Sequence, residues 1–318
     1  MDKTDKVIQK IGVLSGGGDC PGVNAVIRAI VKTARDKYNM TVIGFENGFG
    51  GLIQNRGRVL TERDISGILP RGGTILGTTN RDNPFNYTLC KGGKYICVDV
   101  SDSAAENVCI HCLEALIVIG GIGSLKIAKE FSEKNVPIIG VPKTIENDLW
   151  ATEKTFGYDT ALNTAMDAID KLHSTAESHH RVMVLEVKGQ KSGWLALEAG
   201  LAGGADVILI PEIPFDLEKV YEKIESRRAQ EDRFSIIVVA EGARNKKQKA
   251  VGKSIAEDVA AEVENKTGME TRPLILGHLQ RGGSPTAYDR ILATRFGVAA
   301  VEAAVEGNFN SIVSLQCD

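Results

Sequence analysis

The fold class follows from residues 11–22, IGVLSGGGDCPG. Residues 11–14 are apolar and predict a short strand, and the turn that follows at 15–22 is rich in glycine. Pro21 suits the first position of a helix. An apolar stripe at helical spacing then continues to about residue 38: Ala25, Ile27, Ile30, Val31 and Ala34. A strand, a glycine-rich turn and a helix in this order are typical of an α/β protein.

Short apolar runs alternate with longer amphipathic segments along the rest of the chain. We predict strands at residues 41–45, 115–119, 137–141, 182–187, 206–210, 235–240, 272–276 and 311–315. We predict helices at 124–134, 160–177, 194–202, 217–230, 254–266 and 286–306. Residues 46–100 are turn-rich and less regular. The alternation predicts a doubly wound α/β fold, and the length of 318 residues suggests about two domains.

Composition excludes several classes of protein. Because 38 basic residues stand against 41 acidic ones, a nucleic-acid binder held by phosphate contacts is not expected. No apolar run approaches the roughly 18 residues that span a bilayer, and residues 1–10 have no signal-peptide core. Six cysteines are too few for a disulfide scaffold. We therefore expect a cytoplasmic protein with no nucleic-acid or membrane partner. Residues 243–250 are polar and are expected to form a solvated loop.

Two glycine-rich loops lie between a predicted strand and a predicted helix. The first loop is residues 15–22, and the second loop is residues 120–124, GGIGS. Glycine lets backbone N–H groups approach a phosphate, and the helix dipole behind the loop favours an anion. Ser124 can also cap its helix. The alternative to phosphate binding is structural: taken alone, either loop is also explained by a tight turn or by close packing of its helix on the sheet.

Two further loops carry charged and polar side chains after strands. The third loop, residues 142–148 (PKTIEND), offers a lysine, a hydroxyl and two carboxylates, which could position a phosphate, a metal and a general base. The fourth loop, residues 277–285 (GHLQRGGSP), offers a histidine and an arginine that suit a phosphate ester. Capped turns with exposed charges are the structural alternative.

Two other clusters are weaker signals. Cys109 and Cys112 flank His111, but no second pair has ligand spacing, so a zinc site is not expected. His179 and His180 precede Arg181 and could form either a phosphate site or a helix end stabilised by cations.

The order of these motifs resembles the phosphofructokinase A family from residue 11 to residue 315. The resemblance rests on SGGGDCPGVN at 15–24, SHHR at 178–181, GW at 193–194, PE at 211–212, EG at 241–242 and HLQRGGSP at 278–285. It implies the phosphofructokinase fold, with two doubly wound, Rossmann-like domains and mainly parallel sheets. The large nucleotide-binding domain would be residues 1–157 and 280–318, and the smaller sugar-phosphate-binding domain residues 158–279.

The resemblance also implies an activity. Members transfer the γ-phosphoryl group of ATP to the 1-hydroxyl of fructose 6-phosphate in glycolysis, giving fructose 1,6-bisphosphate, with Mg²⁺ as cofactor. Homotetramers are usual among the bacterial members, and each sugar site lies at a subunit interface. We therefore expect a homo-oligomer, a tetramer by resemblance, that takes ATP and fructose 6-phosphate.

Roles for individual residues follow from the same resemblance. The catalytic residues would be Thr144, Glu146 and Asp148, with Asp148 also the metal ligand. The nucleotide would be bound by Gly17, Asn80, Arg81, Gly121, Ile122, Gly123, Ser124 and Lys143. The sugar phosphate would be bound by Gly189, Gln190, Glu241, His278 and Arg281, and by Arg181 and Arg272 of the adjacent subunit.

Several catalytic positions depart from the family pattern. The usual Gly-Gly-Asp-Gly-Ser has Ile122 in place of its aspartate, and the usual Thr-Ile-Asp-Asn-Asp has Glu146. Gln190 replaces the arginine of Met-Gly-Arg, and Asn80 replaces an arginine near the first substrate loop. Because one electrostatic stabiliser is worth roughly 10²–10³ in rate, activity is expected to be weakened, unless Lys188 or other residues compensate.

The phosphate donor and the biological role have alternatives. Gly123 is typical of members that use ATP, whereas Lys143 is typical of members that use pyrophosphate, and the missing side chain at Gly123 favours ATP. The alternatives are a pyrophosphate-dependent kinase, a kinase for another sugar phosphate, or a catalytically impaired or regulatory homologue that binds sugar phosphate.

Overall fold

The computed structural model describes residues 8–150, 152–246 and 254–316. The chain forms two compact units. Unit 1 comprises Met1–Thr144, Leu149–Gly157 and Arg281–Asp318, and unit 2 comprises Ile145–Asp148 and Tyr158–Gln280. The division expected from the sequence placed residues 145–148 and Gln280 with the large domain, whereas here they cluster with unit 2. Residues 247–250, half of the polar loop predicted at 243–250, lie outside the described residues.

Strands and helices alternate in chain order. The strands are β1 (Lys10–Ser15), β2 (Thr41–Phe45), β3 (Gly57–Val59), β4 (Tyr87–Lys91), β5 (Lys94–Val98), β6 (Ala115–Gly120), β7 (Ile138–Pro142), β8 (Val182–Val187), β9 (Val207–Leu209), β10 (Ser235–Ala240), β11 (Thr271–Ile275) and β12 (Ser311–Ile312). The helices are α1 (Val23–Tyr38), α2 (Phe49–Ile53), α3 (Glu62–Ile65), α4 (Ser101–Ile110), α5 (Ile122–Glu133), α6 (Tyr158–His179), α7 (Trp194–Ala202), α8 (Leu217–Ala229), α9 (Ile255–Thr267) and α10 (Ala287–Val305). Single 3₁₀ turns cover Pro84–Asn86 and Gly277–Arg281.

Unit 1 is built on a six-stranded sheet in the order β12-β7-β6-β1-β2-β3. The strands are parallel except β3, which pairs antiparallel with β2. On one face α1 packs against α10 so closely that a Cβ at Gly297 would lie 2.7 Å from the Ala29 side chain. On the other face Phe49 stacks on Phe131 in the apolar core. The connections leave β1 in opposite directions along the sheet, so the switch point that typically binds ligands lies between β1 and β6.

Unit 2 is built on a four-stranded parallel sheet in the order β11-β8-β10-β9. Its central strands β8 and β10 are buried along their whole length. Predominantly apolar, fully buried strands of this kind are typical of parallel sheets covered on both faces. The edge strand β11 is exposed from Arg272 to Ile275. Among the described residues no helix is both long and apolar enough to cross a membrane.

The regular elements match the sequence prediction well, and the irregular region does not. The predicted bounds of β2, β8, α7 and β10 agree with the structure residue for residue. Residues 46–100, which gave no regular pattern, contain two short helices and the antiparallel hairpin β4–β5. The hairpin escaped detection because most of its residues are exposed on both faces. Its one clear signal is Gly92-Gly93, both at positive φ, which is the two-residue turn that such hairpins prefer.

Candidate functional site

The first and second loops lie side by side at the carboxyl edge of the sheet in unit 1. Gly16 N–H donates to Ile119 O at 2.9 Å, and the buried Ser124 hydroxyl fills the space in which a Cβ of Gly16 would stand, 2.6 Å away. Gly17 has a φ of +79°, a conformation that favours glycine. The two glycine motifs are therefore one continuous surface of main chain at the switch point of the sheet.

Thr78 fastens a further segment to the first loop. Its hydroxyl is within hydrogen-bonding distance of both Ser15 O at 2.9 Å and Gly17 O at 2.6 Å. Gly17 N–H in turn donates to Thr79 O at 2.9 Å. The next residues, Asn80 and Arg81, are exposed beside the loop. They therefore follow a segment that is bonded to the first loop, and their contact with a nucleotide stays a prediction.

Lys143 is buried beneath the first loop, with only 3% of its surface exposed. Its ammonium group donates to Gly16 O at 2.7 Å and also to Gly18 O. Burial lowers the pKa of Lys143 to about 8, because removal from water disfavours the charged form. The side chain therefore fixes the carbonyl groups of the loop, so that their N–H groups can turn toward a ligand.

Arg281 and Cys20 complete the first loop in unit 1. The Arg281 guanidinium lies against Gly18, where a Cβ would come within 2.3 Å of Nη1, so a side chain at this position would displace the guanidinium. Cys20 is buried, and burial raises the pKa of its thiol to about 12. The thiol stays protonated and does not act as a nucleophile. A cation at the loop and a neutral thiol beneath it favour anion binding.

The helix that follows the second loop begins with an exposed apolar side chain. Gly121 is the N-cap of α5, and Ile122, 39% exposed, is its first residue. A Cβ added at Gly123 would meet no atom within 4 Å, so open space adjoins the helix N-terminus. The site can receive an anion through backbone N–H groups, but Ile122 offers no ligand to a metal.

In unit 2 the tetrapeptide Ile145–Asp148 lies beside the loop that follows β8. Gln190 N–H donates to Glu146 Oε2 at 3.2 Å, and the Ser192 hydroxyl donates to Glu146 O at 3.2 Å. The predicted base is therefore held by main-chain and side-chain donors of one loop. The neighbouring Thr144, at the end of unit 1, has its carbonyl bonded by the Thr155 hydroxyl at 2.9 Å.

A close ion pair lies at the carboxyl ends of β8 and β10. Lys188 Nζ is 2.6 Å from Glu241 Oε2, and both side chains are largely buried. Gly189, which follows, has a φ of +146°, and a Cβ there would lie 2.5 Å from Ser192 O. The lysine predicted to replace a lost arginine is thus committed to the carboxylate predicted to hold the sugar.

The fully buried Gln280 supports this pair, and sequence reasoning missed it although it lies inside a quoted motif. Its Oε1 accepts from Lys188 N–H at 2.8 Å and its Nε2 donates to Ala161 O at 3.2 Å. The predicted sugar ligand His278, two residues earlier, is exposed after β11. The carboxyl edge of unit 2 therefore gathers Lys188, Glu241 and Gln190 with the Glu146 carboxylate.

Arg181 and Arg272 lie at the opposite end of the same sheet. Arg181 directly precedes β8, and Arg272 is the second residue of β11, opposite Met183 in the register. Six residues of β8 separate Arg181 from Lys188, about 20 Å at 3.3 Å per residue. Both arginines contact Glu270, a residue that the sequence did not single out.

No metal cluster is built into the described residues: no group of three or more His, Cys, Asp or Glu side chains could hold an ion. At the predicted metal ligand, Asp148, the carboxylate is partly exposed and forms no hydrogen bond or ion pair within the described part of the chain. One carboxylate fits Mg²⁺, which usually takes one or two from the protein and its remaining ligands from phosphates and water. His111 contacts Asn55 at 2.6 Å and belongs to no metal site here.

The chain is similar to known phosphofructokinases. The sequence model of the phosphofructokinase family matches residues 10–304. "ATP-dependent 6-phosphofructokinase" of Chloroflexus aggregans is 53% identical over 97% of this chain and 87% of its own length. "ATP-dependent 6-phosphofructokinase 2" of Clostridium perfringens is 49% identical over 97% of this chain and 88% of its own length.

Solved structures share the fold. Phosphofructokinase from Saccharomyces cerevisiae superposes with a TM-score of 0.82 at 35% identity, over 94% of this chain. This chain spans 42% of that longer one. A pyrophosphate-dependent phosphofructokinase from Marinobacter aquaeolei, at 24% identity and a TM-score of 0.80 over 94% of this chain and 76% of its own, shares the fold alone. From its motifs, its two parallel sheets and these likenesses, the chain belongs to the phosphofructokinase family.

Proposed function

We propose that this protein transfers the γ-phosphoryl group of ATP to the 1-hydroxyl of fructose 6-phosphate, giving fructose 1,6-bisphosphate in glycolysis. One observation carries the proposal: two glycine loops and a helix N-terminus form a continuous surface at the switch point of the unit 1 sheet, with Lys143 beneath them. Such a surface suits the phosphates of a nucleotide. The relatives that match nearly the whole chain are named ATP-dependent 6-phosphofructokinases.

Unit 1 is the large nucleotide-binding domain in this proposal, and unit 2 binds the sugar phosphate. Gly17, Asn80, Arg81 and the second loop serve the nucleotide. Open space at Gly123 supports ATP over pyrophosphate, since an α-phosphate needs room there. Burial of Lys143 supports the same choice, because its ammonium group is committed to the carbonyl groups of Gly16 and Gly18.

Glu146 is the general base in the proposed reaction. Its carboxylate accepts the proton of the sugar hydroxyl as that oxygen attacks the γ-phosphorus. The Gln190 N–H that donates to Glu146 Oε2 at 3.2 Å would keep the carboxylate in place. Asp148, with its uncommitted carboxylate, would hold Mg²⁺ together with phosphate oxygens. When bound, that ion neutralises charge that develops on the transferring group.

The transition state is stabilised less well in this chain than in typical family members. Ile122 cannot bind a metal ion, and Gln190 offers an amide dipole where family members carry a cation. Lys188 compensates only in part, because Glu241 already holds its ammonium group at 2.6 Å. Phosphoryl transfer depends mainly on positioning and electrostatics, so these replacements lower kcat rather than abolish binding.

The protein works as a homo-oligomer, a tetramer by family resemblance, in the cytoplasm. The position of Arg181 and Arg272 at the amino end of β8 and β11 supports an oligomer, because one chain cannot bring them to its own Glu241 and His278. An adjacent subunit would supply both arginines to the sugar phosphate. All five cysteines among the described residues are free thiols, which suits a reducing compartment.

A coupled assay with ATP or pyrophosphate as donor, on fructose 6-phosphate and other sugar phosphates, tests the proposal. We expect turnover with ATP and fructose 6-phosphate and none with pyrophosphate. Activity with pyrophosphate and no binding of ATP by calorimetry would reverse the choice of donor. Tight binding of fructose 6-phosphate with no turnover would favour a regulatory homologue.

A further inference from the structure

The predicted sugar-phosphate arginines of unit 2 share one carboxylate. Glu270 Oε2 accepts a hydrogen bond from Arg181 Nε at 2.6 Å, and Glu270 Oε1 accepts one from Arg272 Nη2. Each oxygen serves a different guanidinium group. The carboxylate is therefore a bridge between the two arginines and not the partner of one of them.

The main chain fixes the backbone around this bridge. Val182 N–H donates to Glu270 O at 3.0 Å, which ties the residue before β11 to the first residue of β8. Arg181 donates through its N–H to Ala176 O at 3.1 Å and accepts from Ser235 N–H at 3.3 Å. The backbone is held, but the side chains of Arg181, Glu270 and Arg272 are 28%, 37% and 49% exposed. Their orientation depends on what they contact.

Electrostatics favours the bridge. Two guanidinium groups close together repel each other, and an ionised carboxylate between them offsets that repulsion. The hydrogen bond from Arg181 lowers the pKa of Glu270, and the charges of Arg181, Arg272 and His179 act in the same direction. Without the carboxylate, two long and partly exposed side chains would turn away from each other into water, at a gain in rotamer entropy.

The geometry leaves room for a second anion. Arg181 uses Nε toward Glu270, and its two Nη groups make no hydrogen bond within the described residues. A carboxylate that blocked the arginine would occupy the terminal fork instead, since bidentate pairing is the strongest mode for this side chain. Glu270 thus holds Arg181 from the side and leaves the outer edge of the guanidinium for a phosphate.

We propose that Glu270 is a positioning residue for sugar-phosphate binding: its carboxylate holds Arg181 and Arg272 in one orientation, with the terminal Nη groups of Arg181 available to the phosphate group. The inference rests on the proposed function, because it assumes that these arginines bind the sugar phosphate. Glu264 is the matched control, since it approaches Arg272 at 3.5 Å but contributes no bond to Arg181.

The test compares Glu270→Ala and Glu270→Gln with Glu264→Gln in the full-length protein, by steady-state kinetics with ATP and fructose 6-phosphate. Both Glu270 variants should raise KM for fructose 6-phosphate about fivefold, the upper range for a partly exposed ion pair. The kcat value and KM for ATP should change less than about twofold, as for ordinary surface substitutions. Glu264→Gln should leave all three nearly unchanged. A lower KM in Glu270→Ala would mean that the carboxylate competes with phosphate, and an unchanged KM would remove its role; either result overturns the proposal.

A second readout needs no substrate and separates this inference from the proposed function. The Nε–H proton of Arg181, followed by nitrogen NMR, should exchange slowly with water in the unmodified protein and faster in Glu270→Gln. Equal exchange in the two proteins overturns the bridge even if the enzyme is active. Slow exchange that Glu270→Gln accelerates, in a protein inactive on every sugar phosphate, keeps the bridge and refutes the proposed function.

Discussion

The two ends of the sheet in unit 2 are built for different tasks. At the carboxyl end, Lys188 and Glu241 form a largely buried pair in a loop kept in shape by Gly189 and Gln280. At the amino end, Arg181 and Arg272 lie near the surface and share Glu270. The carboxyl end holds its ion pair largely buried, whereas the amino end presents cations outward, as binding another molecule requires.

The separation of the two ends indicates that one activity is divided between copies of the chain. About 20 Å of strand separates the two ends, so no arginine side chain of one copy can cross to its own carboxyl end. Loss of the Glu146 carboxylate at the carboxyl end should then act on kcat, and changes to Arg181 or Arg272 at the amino end should act on KM for the sugar phosphate.

The largest effect is expected from Glu146→Gln. It keeps the size of the side chain but removes the proposed proton acceptor, and general-base catalysis is worth about 10²–10⁴ in rate. We expect kcat to fall by that factor while fructose 6-phosphate still binds, as measured by a coupled assay and calorimetry. Glu130→Gln, on the exposed surface of α5, is the control. Retention of full kcat would remove Glu146 from the chemistry.

Arg272→Ala should have the next largest effect, and it should act on KM for fructose 6-phosphate instead of kcat. Loss of a hydrogen bond to a charged group costs about 1.5–3 kcal/mol, which corresponds to a KM for fructose 6-phosphate raised roughly 10- to 150-fold. KM for ATP should hardly change. Arg228→Ala, on the exposed surface of α8, is the matched control. Equal losses of ATP and sugar-phosphate affinity would contradict the division.

A gain of activity is expected from the double variant Ile122→Asp with Gln190→Arg. It restores a metal ligand and a cation at the two replaced positions, so kcat should rise at least about tenfold, a fraction of the 10²–10³ that one stabiliser can give. KM for fructose 6-phosphate should change less than kcat, because Arg181, Arg272 and Arg281 are untouched. An unmodified enzyme that already turns over at tens per second, a typical kinase rate, would show that other residues have taken over.

The smallest effect concerns the pH dependence of stability. Lys143 has a pKa of about 8 in the folded protein against 10.5 for an ordinary lysine. Between these values the unfolded chain binds more protons, so the contribution of Lys143 to the free energy of unfolding rises with pH. The difference between the unmodified protein and Lys143→Met should grow from pH 8 to pH 10, by at most about 1.4 kcal/mol per unit. Urea unfolding measures it.

The control for this prediction is Lys129→Met on α5. That lysine is exposed, so its substitution should give a difference from the unmodified protein that does not vary with pH. The free energy of unfolding of the unmodified protein, less that of Lys143→Met, should rise with pH. A difference that falls with rising pH would contradict a lowered pKa for Lys143.

Much of the fold follows from local pattern, whereas the connections within the site do not. β8 and β10 are predominantly apolar, and the first loop is marked by three glycines after a strand. Sequence patterns of this kind depend on neighbouring residues in the chain, so they predict local structure. The hairpin β4–β5 lacked the apolar alternation that marks a strand with one buried face.

Contacts between distant residues were beyond sequence reasoning. Glu270 lies 89 residues from Arg181, and Thr78 reaches back 63 residues to Ser15. A surface glutamate and a loop threonine carry no local signal, because their importance comes from the partner that folding brings to them. The family motif placed Lys188 near the chemistry, but its bond to Glu241 required the paired strands β8 and β10.

Co-refolding two defective variants tests most directly whether each sugar-phosphate site is divided between two copies of the chain. Glu146→Gln damages the carboxyl end, and Arg272→Ala damages the amino end. At low fructose 6-phosphate, each variant alone should show almost no activity. Across a two-fold interface, one of the two sites in a hybrid pair would combine two undamaged ends. We expect co-refolded mixtures, but not simply mixed solutions of stable oligomers, to recover activity at the KM of the unmodified enzyme. Hybrids that form and stay silent, or a monomer that binds fructose 6-phosphate with full affinity, would contradict a site divided between two copies.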